Sequence, residues 1–531
     1  MSENSVPRVV RNDWSGVSVP ELGAWTPTMT VTVVVPAYNN QEKLDVVLAA
    51  LTRQTYPKQL LDVVVVDDGS QPPLHLPEIR PERTRLLWGP DYSTSWGCSN
   101  AGDIAARAAE GDIIQRLDSD MLVYPEHVEA QARWHHVLPY AVTLGTKRMI
   151  DTAPGSVSWP TPEKVASIGS IHDLFDYAAS EPHDYIEKIL RSTDDLRAGD
   201  HLNFMAHVGA TWAMRRDLYH LSGGTDNMLR LGEDNEFAYR LHQVGAVFVP
   251  EWDARSWHLG LTHMMQQAAL LRRYNRPFLA EQMPYPRWLR KVGGSAWKVP
   301  LVTAVVEVDG QPLELVRACV DALLRGDEQD VRVRLVGRWD EITEERQSVL
   351  RDPLLELRLI SATYRSDPRV SLVTSVPESV FPSAHLLEVP VTAGLSRSAL
   401  GRLVGEADQH QVGLVEVTGA GPVPVRLWRT AALGRISWFG DSTPRAQGVT
   451  EVYGARTLTA AEAGVTDLSA VPVELLDEGV AGLKQGDPGK WLPATVQVGG
   501  LRSLAQATAL VGRLSAARAK AKIRRMSVRR K

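Results

Sequence analysis

The chain has 531 residues, of which 44% are hydrophobic and 23% charged, with a formal net charge of −5 and two cysteines. A single core seldom grows past roughly 250–300 residues, so at least two domains are expected. Cys98 and Cys319 are too few and too far apart in sequence for a disulfide framework or a cysteine-rich zinc site.

The opening residues, Met1 to Arg8, contain no apolar signal core, and residues 1–29 read as an N-terminal extension. No run reaches the roughly 20 apolar residues needed to cross a bilayer, so a cytoplasmic address is expected. Val31 to Val35 reads as a buried strand, broken by Pro36 and by Asn39 and Asn40. Leu44, Val47, Leu48 and Leu51 keep helical spacing, and Leu61 to Val66 forms a second strand that runs into Asp67-Asp68-Gly69-Ser70. Strand, helix and strand in that order imply a right-handed parallel crossover, which brings Tyr38 and Asp68 to one rim. There an aromatic ring can stack on a base and a carboxylate can accept its N–H, although a plain strand-ending turn also accounts for Asp67 to Ser70.

Asp112 to Leu117 predicts another strand, with Asp118-Ser119-Asp120 at its carboxyl end. Residues i and i+2 of an extended segment project to the same side, at the end of an open α/β sheet where ligands bind. Hard divalent cations favour carboxylate oxygens and leave positions open for substrate phosphates. Alone the D-x-D pattern is a weak signal, because short acidic pairs are common in solvated turns. Further on, Gly223-Gly224 marks a tight turn with Asp226 just beyond it. Glu233 and Asp234 open a helix in which Phe237, Leu241 and Val244 form an apolar stripe and Gly245 supplies the stop. The helix dipole favours their ionised forms, whereas mutual repulsion and burial raise the pKa. His258 follows Ala246 to Pro250 by a short loop containing Trp252 and Trp257, and a neutral imidazole there would complete an Asp/His metal site.

As a set, Val-Val-Val-Pro-Ala-Tyr-Asn, Val-Val-Asp-Asp-Gly-Ser, Leu-Asp-Ser-Asp, Gly223 to Asp226, Gly232 to Phe237 and Trp257-His258 are far more specific than any one of them. In this order over residues 30–265 they resemble a family 2 glycosyltransferase of the GT-A fold. Gly232 to Leu241 is most similar to chondroitin-type polymerases and to N-acetylgalactosaminyl- or galactosyl-transferases. The resemblance implies nucleotide contacts from Pro36, Tyr38, Asn39, Asp67, Asp68 and Asp118. It implies Mn²⁺ or Mg²⁺ on Asp118, Asp120 and His258, Asp234 as general base with Glu233 next in line, and acceptor contacts from Glu233, Gly224 and Asp226. The implied reaction is metal-dependent, inverting hexosyl or N-acetylhexosaminyl transfer. Its donor is a nucleotide-diphosphate sugar, expected to be UDP-linked, and its acceptor a hydroxyl of a glycan or lipid-linked glycan in cell-surface polysaccharide synthesis.

Two stretches depart from the family pattern. Ser99 stands where many relatives carry an arginine near the donor phosphates, with Lys147 or Arg148 to compensate. Gln282 to Trp288 echoes the Gln-x-x-Arg-Trp signature of processive membrane synthases with two extra residues, and reads more simply as a Pro-rich linker. The competing class is a non-catalytic scaffold or nucleotide-sugar-binding protein with the GT-A fold. Retention of the D-x-D, the Glu-Asp pair and the histidine argues against it. A nucleotidyltransferase is disfavoured because no Gly-rich triphosphate loop follows the first strand.

The expected fold is therefore α/β: a Rossmann-like, mostly parallel GT-A domain over residues 30–270, a linker over 271–297 and a second α/β domain over 298–495. In the second domain Val302 to Val308, a helix through Leu313 and Leu324, and Val331 to Val336 again read strand, helix, strand. Val425 to Leu433 echoes Ala210 to Leu218, and Ala461 to Val465 echoes His242 to Ala246. These echoes suggest a degenerate GT-A-like copy without catalysis, serving homo-oligomer formation, acceptor binding or scaffolding, with an unrelated α/β domain as the alternative. It offers Gly337-Arg338-Trp339-Asp340 where the first half has Asp-Asp-Gly-Ser. Residues 501–531 combine Leu501, Leu504, Leu510, Val511 and Leu514 with a run of basic residues from Arg513 to Lys531. They read as an amphipathic helix that brings the enzyme to an anionic membrane surface, as a peripheral protein at its inner face. Nucleic acid is not expected as a partner, because nothing aromatic interleaves this charge.

Overall fold

Runs rich in valine and isoleucine that are buried along their whole length become the central strands of a sheet covered on both faces. In the structure, a computed structural model that describes residues 6–151, 160–290, 296–343, 348–440 and 442–476, the first such strands are β1 (Val31–Ala37) and β2 (Leu61–Asp67). They are followed by β3 (Thr84–Trp88), β4 (Ile113–Leu117), β5 (Met121–Val123), β6 (Ala141–Ile150), β7 (Glu181–Pro182), β8 (Thr211–Arg215) and β9 (Val247–Leu259). The sheet runs β3-β2-β1-β4-β8-β6-β9-β5, with β7 paired to β6. β1 is parallel to β2 and β4, while β8 lies antiparallel to both β4 and β6. Val33, Val35, Val63, Val65 and Trp257 pack with Leu44 and Leu48 of helix α1 (Gln41–Leu51) in one core. Helices α2 (Cys98–Arg107), α3 (His127–His135), α4 (Pro162–Ser167), α5 (Asp184–Ser192), α6 (Arg216–Leu221), α7 (Glu233–Gln243) and α8 (His263–Gln282) complete this half.

Two local readings of the sequence are corrected here. β4 stops at Leu117, and Asp118 to Asp120 form a turn closed by the Met121 N–H donating to the Asp118 carbonyl at 3.1 Å, so the carboxylates do not share an extended strand. The chain must reverse at this point to bring β5 antiparallel to β9. His258 does not follow a loop. β9 continues to Leu259, absorbing Trp252 to Ala254 in an irregularity where the β6–β9 register jumps from Gly145↔Glu251 to Thr146↔Arg255. Such a bulge re-aims a strand without ending it.

The second sheet contains β10 (Val302–Glu307), β11 (Val331–Val336), β12 (Val370–Val373), β13 (His385–Glu388), β15 (Leu414–Thr418), β16 (Val425–Arg429) and β17 (Ala455–Thr459), and β14 (Ala393–Leu395) pairs separately with β18 (Val465–Asp467). Its order is β12-β11-β10-β13-β16-β15-β17. Strand for strand this repeats β3-β2-β1-β4-β8-β6-β9, including antiparallel β16 between β13 and β15 and parallel β15 to β17. Its helices are α9 (Leu313–Leu324), α10 (Leu355–Tyr364), α11 (Ala399–His410), α12 (Thr430–Ile436), α13 (Arg445–Tyr453) and α14 (Ala460–Ala463). Val425 to Leu433 and Ala210 to Leu218 occupy matching places, β16–α12 and β8–α6. The echo of His242 to Ala246 in Ala461 to Val465 does not, because α7 is matched by α13, which ends at Tyr453. Where β4 leads into Asp118-Ser119-Asp120, β13 leads into Val389-Pro390-Val391-Thr392.

Both sheets belong to one compact unit, Met1–Ser469. The N-terminal segment ties them: Asn12 exchanges hydrogen bonds with the Phe248 backbone at 2.8 and 2.9 Å, and the Arg11 N–H donates to the Val452 carbonyl at 2.7 Å. Of the other unit, Ala470–Lys531, one short helix is described, Val473–Leu476; the membrane-tail reading of 501–531 and the end of the expected second domain lie outside the described residues. Among the described residues no helix is long and apolar enough to cross a membrane.

Two fully buried histidines under β6 and β8 make the fold pH-sensitive. His127 bonds the Arg255 carbonyl and Thr211 Oγ1 at 3.0 and 2.8 Å, and His135 approaches Thr143. Burial lowers their pKa values to about 4 and about 3. Between those values and the ordinary 6.5 the unfolded chain binds more protons than the folded one, so stability is full above pH 6.5 and falls as pH drops. At pH 5 each costs about 2 kcal/mol. Urea unfolding at pH 7.5 and 5.0 is expected to show this loss, with a shallower pH slope in His135→Gln.

Candidate functional site

Three loops at the carboxyl ends of β1, β2 and β4 are stitched into one rim. The Asp68 N–H donates to the Ala37 carbonyl at 2.9 Å and the Asn39 N–H to Ser70 Oγ at 2.8 Å, and Asn40 Nδ2 approaches Ser119 Oγ at 3.5 Å. Asn39 takes a left-handed conformation, φ 49°, and its amide oxygen accepts the Gln71 N–H. Tyr38 stands out from this rim with a largely exposed ring, whereas Pro36 is buried in β1 beyond the last residue paired with β4, so its missing N–H costs no ladder bond there. Asp68 accepts the Gly97 N–H at 2.6 Å, and burial raises its pKa against the pull of that bond. Asp67 is a correction to the expected nucleotide contacts. It is buried, with its two oxygens taken by the N–H groups of Ser70 and Leu74 at 2.8 Å, and it shapes the loop from within.

The two aspartates of the D-x-D turn have different neighbours. Asp118 is gripped by Arg116 through Nε and Nη2 at 3.0 and 2.9 Å, and this guanidinium, buried in β4, also donates to Cys98 Sγ at 2.8 Å. Asp120 lies 3.8 Å from His258 Nε2 and 3.7 Å from Lys43 Nζ. His258 Nδ1 must donate to the Gly260 carbonyl at 2.7 Å, which leaves the Nε2 lone pair of the neutral ring facing the carboxylate. Two donors on one cation sit roughly 3–4 Å apart, so Asp120 and His258 suit a divalent ion whose other positions come from a substrate and water. Among the described residues no group of three or more His, Cys, Asp and Glu is spaced to hold a metal by itself.

Opposite the turn, Gly232 in the left-handed region, φ 77°, starts α7, and a side chain there would press on Asn275 at 2.9 Å. Glu233 and Asp234 occupy the first turn. Asp234 Oδ1 accepts the Asn235 N–H and Nδ2 at 2.8 and 2.9 Å, and Oδ2 accepts the Gly209 N–H at 3.3 Å. Burial and the neighbouring Asp234 charge raise the Glu233 pKa to about 8, opposed by Arg116. Lys147 is buried beside these acids. Desolvation draws its pKa down to about 8, while Asp118, Asp234 and Asp120 act in the other direction. Of the two cations, Lys147 lies beside these acids, whereas Arg148 turns away to Ser180 and stacks on Tyr177 at 4.4 Å. Ser99 is also turned away, donating to the Asp226 carbonyl at 3.0 Å.

The expected acceptor loop is built tightly. Gly223 and Gly224 end α6 with φ of 87° and 72°, and a side chain at Gly224 would meet Asp103 Oδ1 at 2.6 Å. Asp226 holds the Met228 N–H and Gln282 Nε2, which leaves it as an anchor between this loop and α8. Sequence reading missed Arg116, Lys43 and His183. Arg116 carried a signal, a charged residue inside a buried strand two places before Asp118. His183 carried none; burial, Lys147 and His258 lower its pKa to about 3, which places the segment before α5 at the site.

Residues 32–220 match the family model described as "Glycosyl transferase family 2". Residues 32–220 are therefore similar to family 2 glycosyltransferases. It is 25% identical over 363 residues to the chondroitin synthase of Escherichia coli, covering 65% of this chain and 50% of that protein. It is 30% identical over 112 residues to the poly(ribitol-phosphate) beta-N-acetylglucosaminyltransferase TarS of Staphylococcus aureus (strain Mu50), covering 20% of each. A solved mannosyltransferase of Pyrobaculum calidifontis, in complex with GDP-Man and Mn²⁺, aligns with a TM-score of 0.32 and 18% identity over 53% of this chain and 70% of that one. The chain spans half or less of the length of the two curated relatives.

Gly102 on α2 leaves the space that Arg116 occupies: a Cβ there would lie 2.1 Å from Nη1. Gly102→Ala is expected to destabilise the protein by about 1–3 kcal/mol, the usual cost of overpacking, and to loosen the grip on Asp118. Urea unfolding and calorimetry with UDP and Mn²⁺ check both effects.

Proposed function

We propose that this protein is a metal-dependent, inverting glycosyltransferase that moves a hexosyl or N-acetylhexosaminyl group from a nucleotide-diphosphate donor, with UDP as the nucleotide, to a hydroxyl of a glycan or lipid-linked acceptor in cell-surface polysaccharide synthesis. The observation that carries this reading is the meeting of Asp120 and His258 Nε2, 3.8 Å apart, at the same rim as Asp68 and the acidic first turn of α7. The kinship with the chondroitin synthase supports a polysaccharide context.

In this mechanism Tyr38 stacks on the base, Asp68 accepts its N–H, and Asp118, held by Arg116, meets the ribose. Asp120 and His258 would hold Mn²⁺ or Mg²⁺, which would supply positive charge against that growing on the departing diphosphate. Lys147 adds a positive charge on the same side. Asp234 removes the proton of the attacking hydroxyl, its carboxylate oriented by the Gly209 and Asn235 donors. Glu233, kept protonated near neutral pH, donates a hydrogen bond to the acceptor without adding a second negative charge. The basic tail at 501–531 brings the enzyme to the anionic inner face of a membrane.

Asp120→Ala is expected to abolish Mn²⁺-dependent UDP binding in calorimetry, and undiminished binding by the folded variant would move the metal elsewhere. Asp234→Asn is expected to keep donor affinity and lose about 10²- to 10⁴-fold in turnover, measured with a panel of UDP-sugars and oligosaccharide acceptors. Deleting 501–531 is expected to end sedimentation with anionic liposomes while sparing donor hydrolysis.

A further inference from the structure

The last carbonyls of any α-helix lack partners within the helix. In α7 the carbonyls of Arg240, Leu241 and His242 are met by the N–H groups of Val244, Ala246 and Gly245, and it is the carbonyls of the turn that follows that the second sheet's half of the molecule holds. Arg435, at the end of α12 and fully buried, donates from Nε to the Gly245 carbonyl at 2.5 Å and from Nη2 to Ala246 at 3.1 Å. Its Nη1 reaches the carbonyls of Val9 and Arg11 at 2.8 and 3.0 Å. Trp438 Nε1 donates to the Val244 carbonyl at 3.0 Å, and midway along the helix Tyr239 Oη donates to Pro382 at 2.6 Å.

The approach is as close as backbones allow. A Cβ on Gly245 would lie 2.3 Å from Arg435 N, and one on Gly434 would lie 2.5 Å from the Gln243 carbonyl. Among the described residues no carboxylate pairs with Arg435. Its charge rests on four carbonyls, on the negative end of the helix dipole, and on the rings of Tyr140 and Tyr453 at 4.8 and 5.7 Å. A buried cation of this kind is costly unless its geometry is kept, so it fixes the axial position and rotation of α7.

We propose that the second sheet's half serves the transfer reaction as a cap on the turn that ends α7, Val244 to Ala246, with Arg435 and Trp438 as positioning residues for Glu233 and Asp234 at the opposite end of the helix. This deepens the proposed function and rests on it. The helix is short, about 16 Å at 1.5 Å per residue, so a change in its seating at Gly245 reaches the carboxylates with no flexible joint in between. Trp438 donates a hydrogen bond without a charge, while Arg435 supplies both. The two residues can therefore be separated by substitution.

The test measures kcat, donor KM, calorimetric UDP–Mn²⁺ affinity and hydrogen exchange of residues 232–246 in Arg435→Met, Arg435→Lys and Trp438→Phe. Expected are a kcat loss of at least tenfold in Arg435→Met, a smaller loss in Arg435→Lys, donor KM and affinity within twofold of wild type, and faster exchange confined to α7. Combined with Asp234→Asn, Arg435→Met is expected to add no further loss, because it acts through that carboxylate. Wild-type kcat in folded Arg435→Met, or a loss that multiplies with that of Asp234→Asn, would overturn the proposal. Should Arg435→Met fail to fold, Trp438→Phe and Tyr239→Phe carry the same comparison, and wild-type kcat in both overturns it. A failure of the proposed function looks different: no transfer by wild type from any UDP-sugar. In that case exchange that accelerates only across 232–246 still supports the cap, and uniform acceleration rejects it.

Discussion

Carboxylates gathered at one rim repel one another, and the site depends on how that repulsion is met. Asp118, Asp120, Glu233 and Asp234 share two buried cations, Arg116 and Lys147, each set in a central strand. A buried ion is tolerated only when paired and hydrogen-bonded. Arg116 meets that condition through Asp118 and Cys98, and Gly102 leaves room for it. Lys147 has no such close partner, and its lowered pKa reflects this. Burial, with the Asp234 charge beside it, raises the proton affinity of Glu233. The acids therefore differ in character because of what lies beneath them.

The two sheets share a strand order and differ at every place where the first carries chemistry. The turn after β13 holds Val389, Pro390, Val391 and Thr392, and α13 opens with Arg445 and Ala446 where α7 opens with Glu233 and Asp234. With no acidic residues at these places, the matching surface can be buried. α12, the counterpart of α6, packs on α7 through Gly434 and Gly245. The repeated strand order is thus kept while the outer face of the second copy becomes a seat for its neighbour.

The sheet cores were legible in the sequence because Val31 to Val35, Leu61 to Val66 and Val302 to Val306 are continuous apolar runs that only strands covered on both sides accommodate. The rim residues Tyr38, Asp68, Asp120 and Glu233 were legible as an ordered set of motifs. Local geometry was less so. An i, i+2 rule assumes an extended chain, and the Asp118–Met121 turn breaks it. A polar stretch such as Glu251 to Arg255 reads as a loop, yet a bulge carries β9 through it to His258. Long-range partners left the weakest trace: nothing in the vicinity of Arg435 announces that its donors hold the turn after a helix that ended at Gln243.

The repeated topology also compares two ways of joining the same strands. Between β15 and β16 the chain turns through residues 419–424, whereas residues 151–210 lie between the corresponding β6 and β8. The sheet thus closes with either connection, and the longer one is not needed to form it. Lengthening a surface connection costs little, since closure entropy grows only with the logarithm of loop length. The long segment nonetheless brings the Gly209 N–H to Asp234, and His183 within reach of the charges of Lys147 and His258. Its sequence can therefore diverge with little effect on the strands beneath, so the surroundings of Asp234 can change while the sheet stays the same.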